Sequence, residues 1–174
     1  MTLFLILFTF VVLQRLAEVI YAHQNEKRMK AKGAVEIGAS HYKWIVMLHI
    51  FFFLSLITEV SGRQFELGKG WQVFLLLFFI VQCLRIWTLV SLGQYWNTKI
   101  IVLPGEKKVS QGPYRWLSHP NYVIVGVEII ILPLIFGAWI TALFFFAANT
   151  IILLTVRIPA EERALEHLKK MTND

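Results

Sequence analysis

Apolar residues in this chain come in unbroken blocks rather than at alternating or helical-face intervals. Thr2 to Tyr21, Tyr42 to Val60 and Trp71 to Leu92 are each about one bilayer long, since about 20 residues at 1.5 Å per residue cross a hydrocarbon core of about 30 Å. A fourth block, Tyr122 to Ile158, would be roughly 50 Å long as one helix, so it must double back. The break is predicted at "FGAW", Phe136 to Trp139, where Gly137 permits a tight reversal and Trp139 can sit at the membrane interface. The pattern therefore predicts five membrane helices, the last two forming a hairpin with almost no loop. Beyond the hairpin, "RIPAEERALEHLKKM" reads as a short surface helix begun by Pro159. Glu161 and Glu162 stand in its first turn, Lys169 and Lys170 in its last, and Leu165, Leu168 and Met171 along one apolar edge.

Composition agrees with lipid as part of the solvent. The hydrophobic share is 57% against 16% charged in 174 residues, more apolar surface than one soluble core can hide. The fold class is all-α, integral membrane, in a single membrane domain spanning residues 1–174. Residues 1–92 hold three N-terminal spans, and residues 93–174 hold a polar segment, the hairpin and the tail. The first block has no basic leader and no small-residue cleavage site, so it reads as a span and not as a signal peptide.

Charge then sets an orientation. Lys27, Arg28, Lys30, Lys32 and Lys43 follow the first span; Lys99, Lys107, Lys108 and Arg115 follow the third; Arg157, Arg163, Lys169 and Lys170 follow the fifth. Only Arg63 and Lys69 lie at the opposite ends, so thirteen bases oppose two. The positive-inside rule places the N-terminus outside, the C-terminus and the polar segments in the cytoplasm, and the chain in a cell membrane. The net charge of +6 is accounted for by this topology, and no nucleic-acid partner is expected.

Four charges lie away from the ends of the spans: Arg15, Glu18, Arg85 and Glu128, all within the cytoplasmic half. An ionisable residue there faces a partner or a wet cavity. One reading is a helix-packing ion pair such as Arg85 with Glu128; the other is a polar cavity open to the cytoplasm. Helical phase puts His119, Tyr122 and Gly126 on one face and Glu128 nearly opposite, with Asn121 and Val125. Glu128 is thereby assigned to structure, and His119 with Tyr122 to function.

Familiar catalytic patterns are missing. There is no glycine-rich phosphate loop and no GxSxG. His41 and His49 lack any HExxH or cysteine companions, so no metal is expected and each reads as an interfacial histidine. The single Cys83 is expected to be buried and inert, with no internal disulfide possible. A non-enzymatic membrane protein, a small transporter or assembly subunit, is the competing reading. It predicts a polar path through both leaflets, whereas the outer halves of the spans carry no charge apart from Glu59 at the very end of the second.

The run containing "LGQYW", "GPYR" and "HPNY", followed by a hydrophobic hairpin and "RIPAEERALE", resembles the isoprenylcysteine carboxyl methyltransferase family over roughly Arg85 to Glu166. The form "YWNTKIIVLPG" is similar to the bacterial branch found beside type III polyketide synthases, whose members O-methylate alkylpyrones or phenolic lipids. The resemblance implies a five-helix membrane enzyme that binds S-adenosylmethionine without a Rossmann domain and methylates an oxygen of a lipophilic or lipidated acceptor drawn from the bilayer. A phospholipid N-methyltransferase is the alternative within the wider group, and a fold-related NADPH reductase a more distant one. Carried over, His119, Pro120 and Tyr122 match the cofactor segment, Glu161 and Glu162 the acidic pair that holds the cofactor's polar groups, and Gly112, Pro113 and Tyr114 the approach loop. His119, Arg115 and Tyr122 are the implied catalytic residues. Arg115 and Arg157 suit an anionic acceptor, and His119 is the base a phenol would need. Two positions depart from the family pattern: Ser118 stands where Arg is usual, and Ile124 where Gly is often found, with Gly126 two residues on.

Overall fold

The computed structural model describes residues 1–37, 39–106 and 109–164, with the side chains of residues 39–41 left out. Its helices are α1 (Thr2–Ala31), α2 (Ala39–Gly62), α3 (Trp71–Leu92), α4 (Pro120–Ile135) and α5 (Trp139–Ile152). After Ile152, α5 continues through a five-residue π turn, Leu153–Arg157, and stays helical to Ala164. Four of these helices are long and apolar enough to cross a membrane; α4 is the short one.

At 16 residues, α4 is roughly 24 Å long, yet it is the most enclosed of the five. It packs between α3 and α5 and buries ten residues, Glu128 among them. That is why it is apolar almost all round rather than along one stripe. The reversal after it turns on Gly137, whose φ of 64° is a left-handed conformation that costs little only for glycine. The packed core lies at this end of the bundle. Phe4, Leu56, Val60, Phe78, Ile135 and Phe136 are almost wholly enclosed, and the Phe4 and Phe136 rings meet edge-on at 5.1 Å. The opposite, basic end is where a cavity opens.

Several features depart from the sequence expectations. The first span is longer, since α1 runs past Tyr21 to Ala31. Its extension is held by Asn25, which donates to the carbonyls of Gly93 and Trp96 at 3.1 and 3.0 Å. Two short strands, β1 (Val35–Ile37) and β2 (Ile100–Val102), pair antiparallel and add a ribbon to the otherwise all-α fold. Glu26 and Glu36 clamp this ribbon through Lys30, 2.6 Å from each, and through Lys99 at 3.0 and 3.2 Å. Cys83 is exposed on the outer face of α3, not buried, because its side of the helix is a lipid-facing one.

Among the described residues no separate helix starts at Pro159, which lies inside the continuation of α5. Proline supplies no N–H to the carbonyl four residues back, which here is that of Thr155, inside the π turn. The chain thus changes its hydrogen-bonding pattern at that point instead of stopping. Lys107, Lys108, Leu165, Leu168, Lys169, Lys170 and Met171 lie outside the described residues.

Candidate active site

A cavity of about 510 Å³ occupies the basic end of the bundle, within the usual range for a small-molecule site. A second groove between α2 and α5 is lined by residues such as Leu48, Phe51, Leu54 and Phe144, with no titratable group. Chemistry therefore belongs to the first.

One wall comes from the proline-punctuated segment. Gly112 has φ 55° and lies so close to α3 that a Cβ there would meet Ser91 Oγ at 2.0 Å. Only glycine fits this position. It starts a 3₁₀ turn, Gly112–Arg115, with Pro113 buried and Tyr114 turned into the cavity. Burial, reinforced by the Glu161 charge, pushes the Tyr114 phenol above its ordinary range, so it is a neutral hydroxyl. His119 then caps α4, with Pro120 as the first helical residue, where a missing N–H costs nothing. One turn on, the Tyr122 ring stacks on the His119 ring at 5.2 Å and 10°.

The facing wall is the end of α5. Asn149, Leu153, Arg157 and Glu161 all line the cavity at intervals of four residues. A uniform α-helix would carry such a series round by about 40° at each step. The wider π turn in its middle removes part of that drift and keeps all four on one face. The two walls meet at Tyr122. Its hydroxyl donates to Glu161 Oε2 at 2.5 Å and accepts from Arg157 Nε at 3.0 Å. His119 Nδ1 is 3.6 Å from the same Glu161 oxygen, and Arg157 also donates to the Thr98 carbonyl at 2.9 Å. Two polar segments some forty residues apart in sequence thus close into one network.

A second polar cluster lies deeper. Arg85 donates to Glu18 at 2.5 and 2.7 Å and to Glu128 at 2.6 Å. Gln82 donates to Glu128 at 2.8 Å. Arg15 bridges Glu18 at 3.2 Å and also bonds Glu128. Two guanidinium groups and two carboxylates balance, which is how buried charge is tolerated. Both readings of these residues hold in part: Glu128 sits behind the wall as a packing partner, while Arg15, Glu18 and Arg85 also line the cavity.

Of the residues singled out in the sequence, Tyr114, Ser118, His119, Tyr122, Arg157 and Glu161 line the cavity. Arg115 and Glu162 do not, and both are exposed; Arg157 is the guanidinium at the Tyr122 hydroxyl. Pro120 is buried behind the wall, and Gly126 faces Phe146 and Asn149 of α5. Asn121 and Val125 line the cavity although helical phase set them apart from His119, because the cavity wraps round more than one face of α4. Trp96, Asn149 and His49 also line it and carried no functional signal beyond being polar or aromatic in apolar surroundings. Asn121 Oδ1, Asn149 Nδ2 and Trp96 Nε1 are buried without a hydrogen-bond partner among the described residues. Such atoms mark a place for a polar ligand.

Comparison with known proteins adds an independent line. The profile described as "Isoprenylcysteine carboxyl methyltransferase (ICMT) family" matches residues 73–167, which contain both walls of the Tyr122 network. A Bacillus subtilis (strain 168) protein named "Uncharacterized protein YpbQ" is 45% identical over 164 residues, covering 94% of this chain and 97% of that protein. An "Uncharacterized protein" of Haemophilus influenzae (strain ATCC 51907 / DSM 11121 / KW20 / Rd) is 28% identical over 146 residues, covering 83% of this chain and 84% of that one. No solved structure gives a significant match.

Proposed function

This chain belongs to the isoprenylcysteine carboxyl methyltransferase family, an integral-membrane methyltransferase family, and from that premise we propose that it transfers a methyl group from S-adenosylmethionine to an oxygen of a lipophilic acceptor. The observation that carries the reading is the junction at Glu161, where Tyr122, His119 and Arg157 converge on the wall of a cavity of about 510 Å³.

The donor set fits the cofactor. Its cationic centre and amine suit the Glu161 carboxylate, its carboxylate suits Arg157, and its base suits the unpartnered Asn121, Asn149 and Trp96 groups. When bound, the cofactor supplies an electrophilic methyl carbon. The chain's part is positioning and the exclusion of water, which supply much of the acceleration of an in-line displacement. His119 and Tyr122 hold the polar end as a stacked pair, and Tyr114 offers a neutral hydroxyl.

The acceptor's path is apolar. Leu16 and Val19 of α1 and Val46 and Ile50 of α2 line the cavity and remain exposed, which supports an entrance from the lipid between these helices. The thirteen-to-two distribution of bases supports a cytoplasmic opening for the cofactor.

Calorimetry on the purified protein is expected to show binding of S-adenosylhomocysteine. Incubation with methyl-labelled cofactor and a membrane lipid extract is expected to yield an alkali-sensitive methyl ester or a stable methyl ether. Absence of binding together with absence of labelled lipid would sink the reading. A labelled amine would move it to the phospholipid N-methyltransferase class.

A further inference from the structure

The face that α2 turns to the cavity consists of Tyr42, Ile45, Val46, His49, Ile50 and Phe53, one stripe at helical spacing. His49 is the imidazole in its middle, about 15 Å along the helix from Ala39 and between Val46 and Ile50 of the apolar acceptor entrance.

The hydrogen bonding of His49 fixes its tautomer. Nδ1 lies 2.8 Å from the carbonyl oxygen of Ile45. A carbonyl only accepts, so Nδ1 carries the hydrogen, and in the neutral ring Nε2 presents a lone pair. No hydrogen bond engages Nε2 among the described residues, and it is not one of the fully enclosed polar atoms without a partner. A proton acceptor therefore remains free on the cavity wall.

The other candidate bases are engaged. Glu18 is held by Arg85 and Arg15, and Glu128 by Arg85, Arg15 and Gln82. Glu161 accepts from Tyr122. His119, stacked on Tyr122, turns Nδ1 toward that carboxylate at 3.6 Å and stands in the polar junction, whereas His49 stands among the apolar side chains of α2. The remaining charged groups on the cavity wall, Arg157 and Lys99, are cations. Of the buried cluster, Arg15 and Glu128 are the charges that act on the His49 ring.

We propose that His49 is the catalytic base of the methyltransferase reading on which this inference rests: Nε2 takes the proton of the acceptor's hydroxyl. As the oxygen–methyl bond forms, the sulfur–methyl bond breaks and leaves its electron pair on sulfur. The O–H pair stays on oxygen, the proton passes to Nε2, and the positive charge of the sulfonium ends on the imidazolium. Water at the cytoplasmic opening takes that proton when the product leaves. Among the acceptors the family resemblance already implies, such a base favours the weakly acidic hydroxyl, a phenol or enol on an apolar carrier, over a carboxylate. A carboxylate has no proton to give at neutral pH and would meet Nε2 lone pair to lone pair.

The test uses the full chain in detergent, as the native protein and as His49→Gln and His49→Phe. S-adenosylhomocysteine binding by calorimetry is expected to stay within about twofold in both variants, which reports that the fold and the polar end are intact. Methylation of an alkyl phenol by the native protein is expected to lose rate as pH falls and the imidazole takes up a proton, whereas in both variants the profile follows the phenol's own ionisation. The rate in the variants is expected to fall about 10²-fold and to recover as pH rises and the phenol ionises unaided. Variants that retain both the native pH profile and the phenol rate would overturn the role of His49. So would a native protein that methylates a prenylated carboxylate and leaves the phenol untouched. Native protein that fails to bind S-adenosylhomocysteine would instead overturn the methyltransferase reading, and this proposal with it.

Discussion

Glu161 receives the Tyr122 hydroxyl at 2.5 Å and faces His119 at 3.6 Å, whereas its neighbour Glu162 is exposed and off the cavity. A carboxylate in a charge-assisted bond is a much stronger partner than a neutral amide. Glu161→Gln is therefore expected to weaken S-adenosylhomocysteine binding about 10- to 100-fold, while Glu162→Gln leaves it unchanged; calorimetry on the two variants checks both. At this scale the sequence was partly legible. His119 and Tyr122 could be grouped because one helix carries them three residues apart, and helical phase is a local property. Choosing Glu161 over Glu162, or Arg157 over Arg115, required the direction from which α5 approaches α4. No local pattern encodes that direction. His49 was misjudged as an interfacial residue because a lone histidine in an apolar run has the same sequence signature whether it faces lipid, headgroups or a cavity.

At the scale of elements, the three N-terminal spans and the hairpin were legible because a block of about 20 apolar residues has few alternatives in lipid. The β1–β2 ribbon was not, since strands of three residues are too short for any alternation to register. Its stability depends on pH in a way the ion pairs define. The hydrogen bond from Lys30, with that from Lys99 beside it, holds the Glu36 carboxyl below its ordinary value of 4.5. The bond to Glu26, joined by that to Glu36, holds Lys99 above 10.5. A depressed carboxylate stabilises fully above its unfolded value and loses that contribution as pH falls through the folded one. A raised ammonium stabilises fully below its unfolded value and loses that contribution as pH climbs through the folded one. The ribbon clamp is thus complete between those two limits. Amide exchange at Val35–Ile37 and Ile100–Val102, corrected for intrinsic rates, is expected to be flat inside the window and to rise below 4.5. Exchange unchanged on acidification would show that the ion pairs do not hold the ribbon.

Across the whole molecule, the Arg15–Glu18–Arg85–Glu128 cluster fastens α1, α3 and α4 together beneath the cavity. Removing one partner leaves a buried charge uncompensated, which costs about 3–5 kcal/mol. Glu128→Ala is accordingly expected to lower the melting temperature in detergent sharply. Arg163→Ala, at an exposed position of the α5 continuation, leaves it near the native value. Equal melting of the two variants would remove the cluster from the account of stability. The sequence by itself determined the fold class, the apolar blocks that become α1 to α5, the place of the reversal at Gly137 and the need of the charges deep in those blocks for partners. These follow from hydrophobic length, glycine conformation and the cost of burying charge, all of which act locally along the chain. The tertiary structure alone decided that α1 extends to support the ribbon and that a π turn keeps Asn149, Leu153, Arg157 and Glu161 on one face. It also decided that Tyr122 joins two segments into one site and that His49 looks into that site from the opposite wall. Each of these depends on how one helix is rotated against another, and that rotation is fixed by packing over the whole bundle.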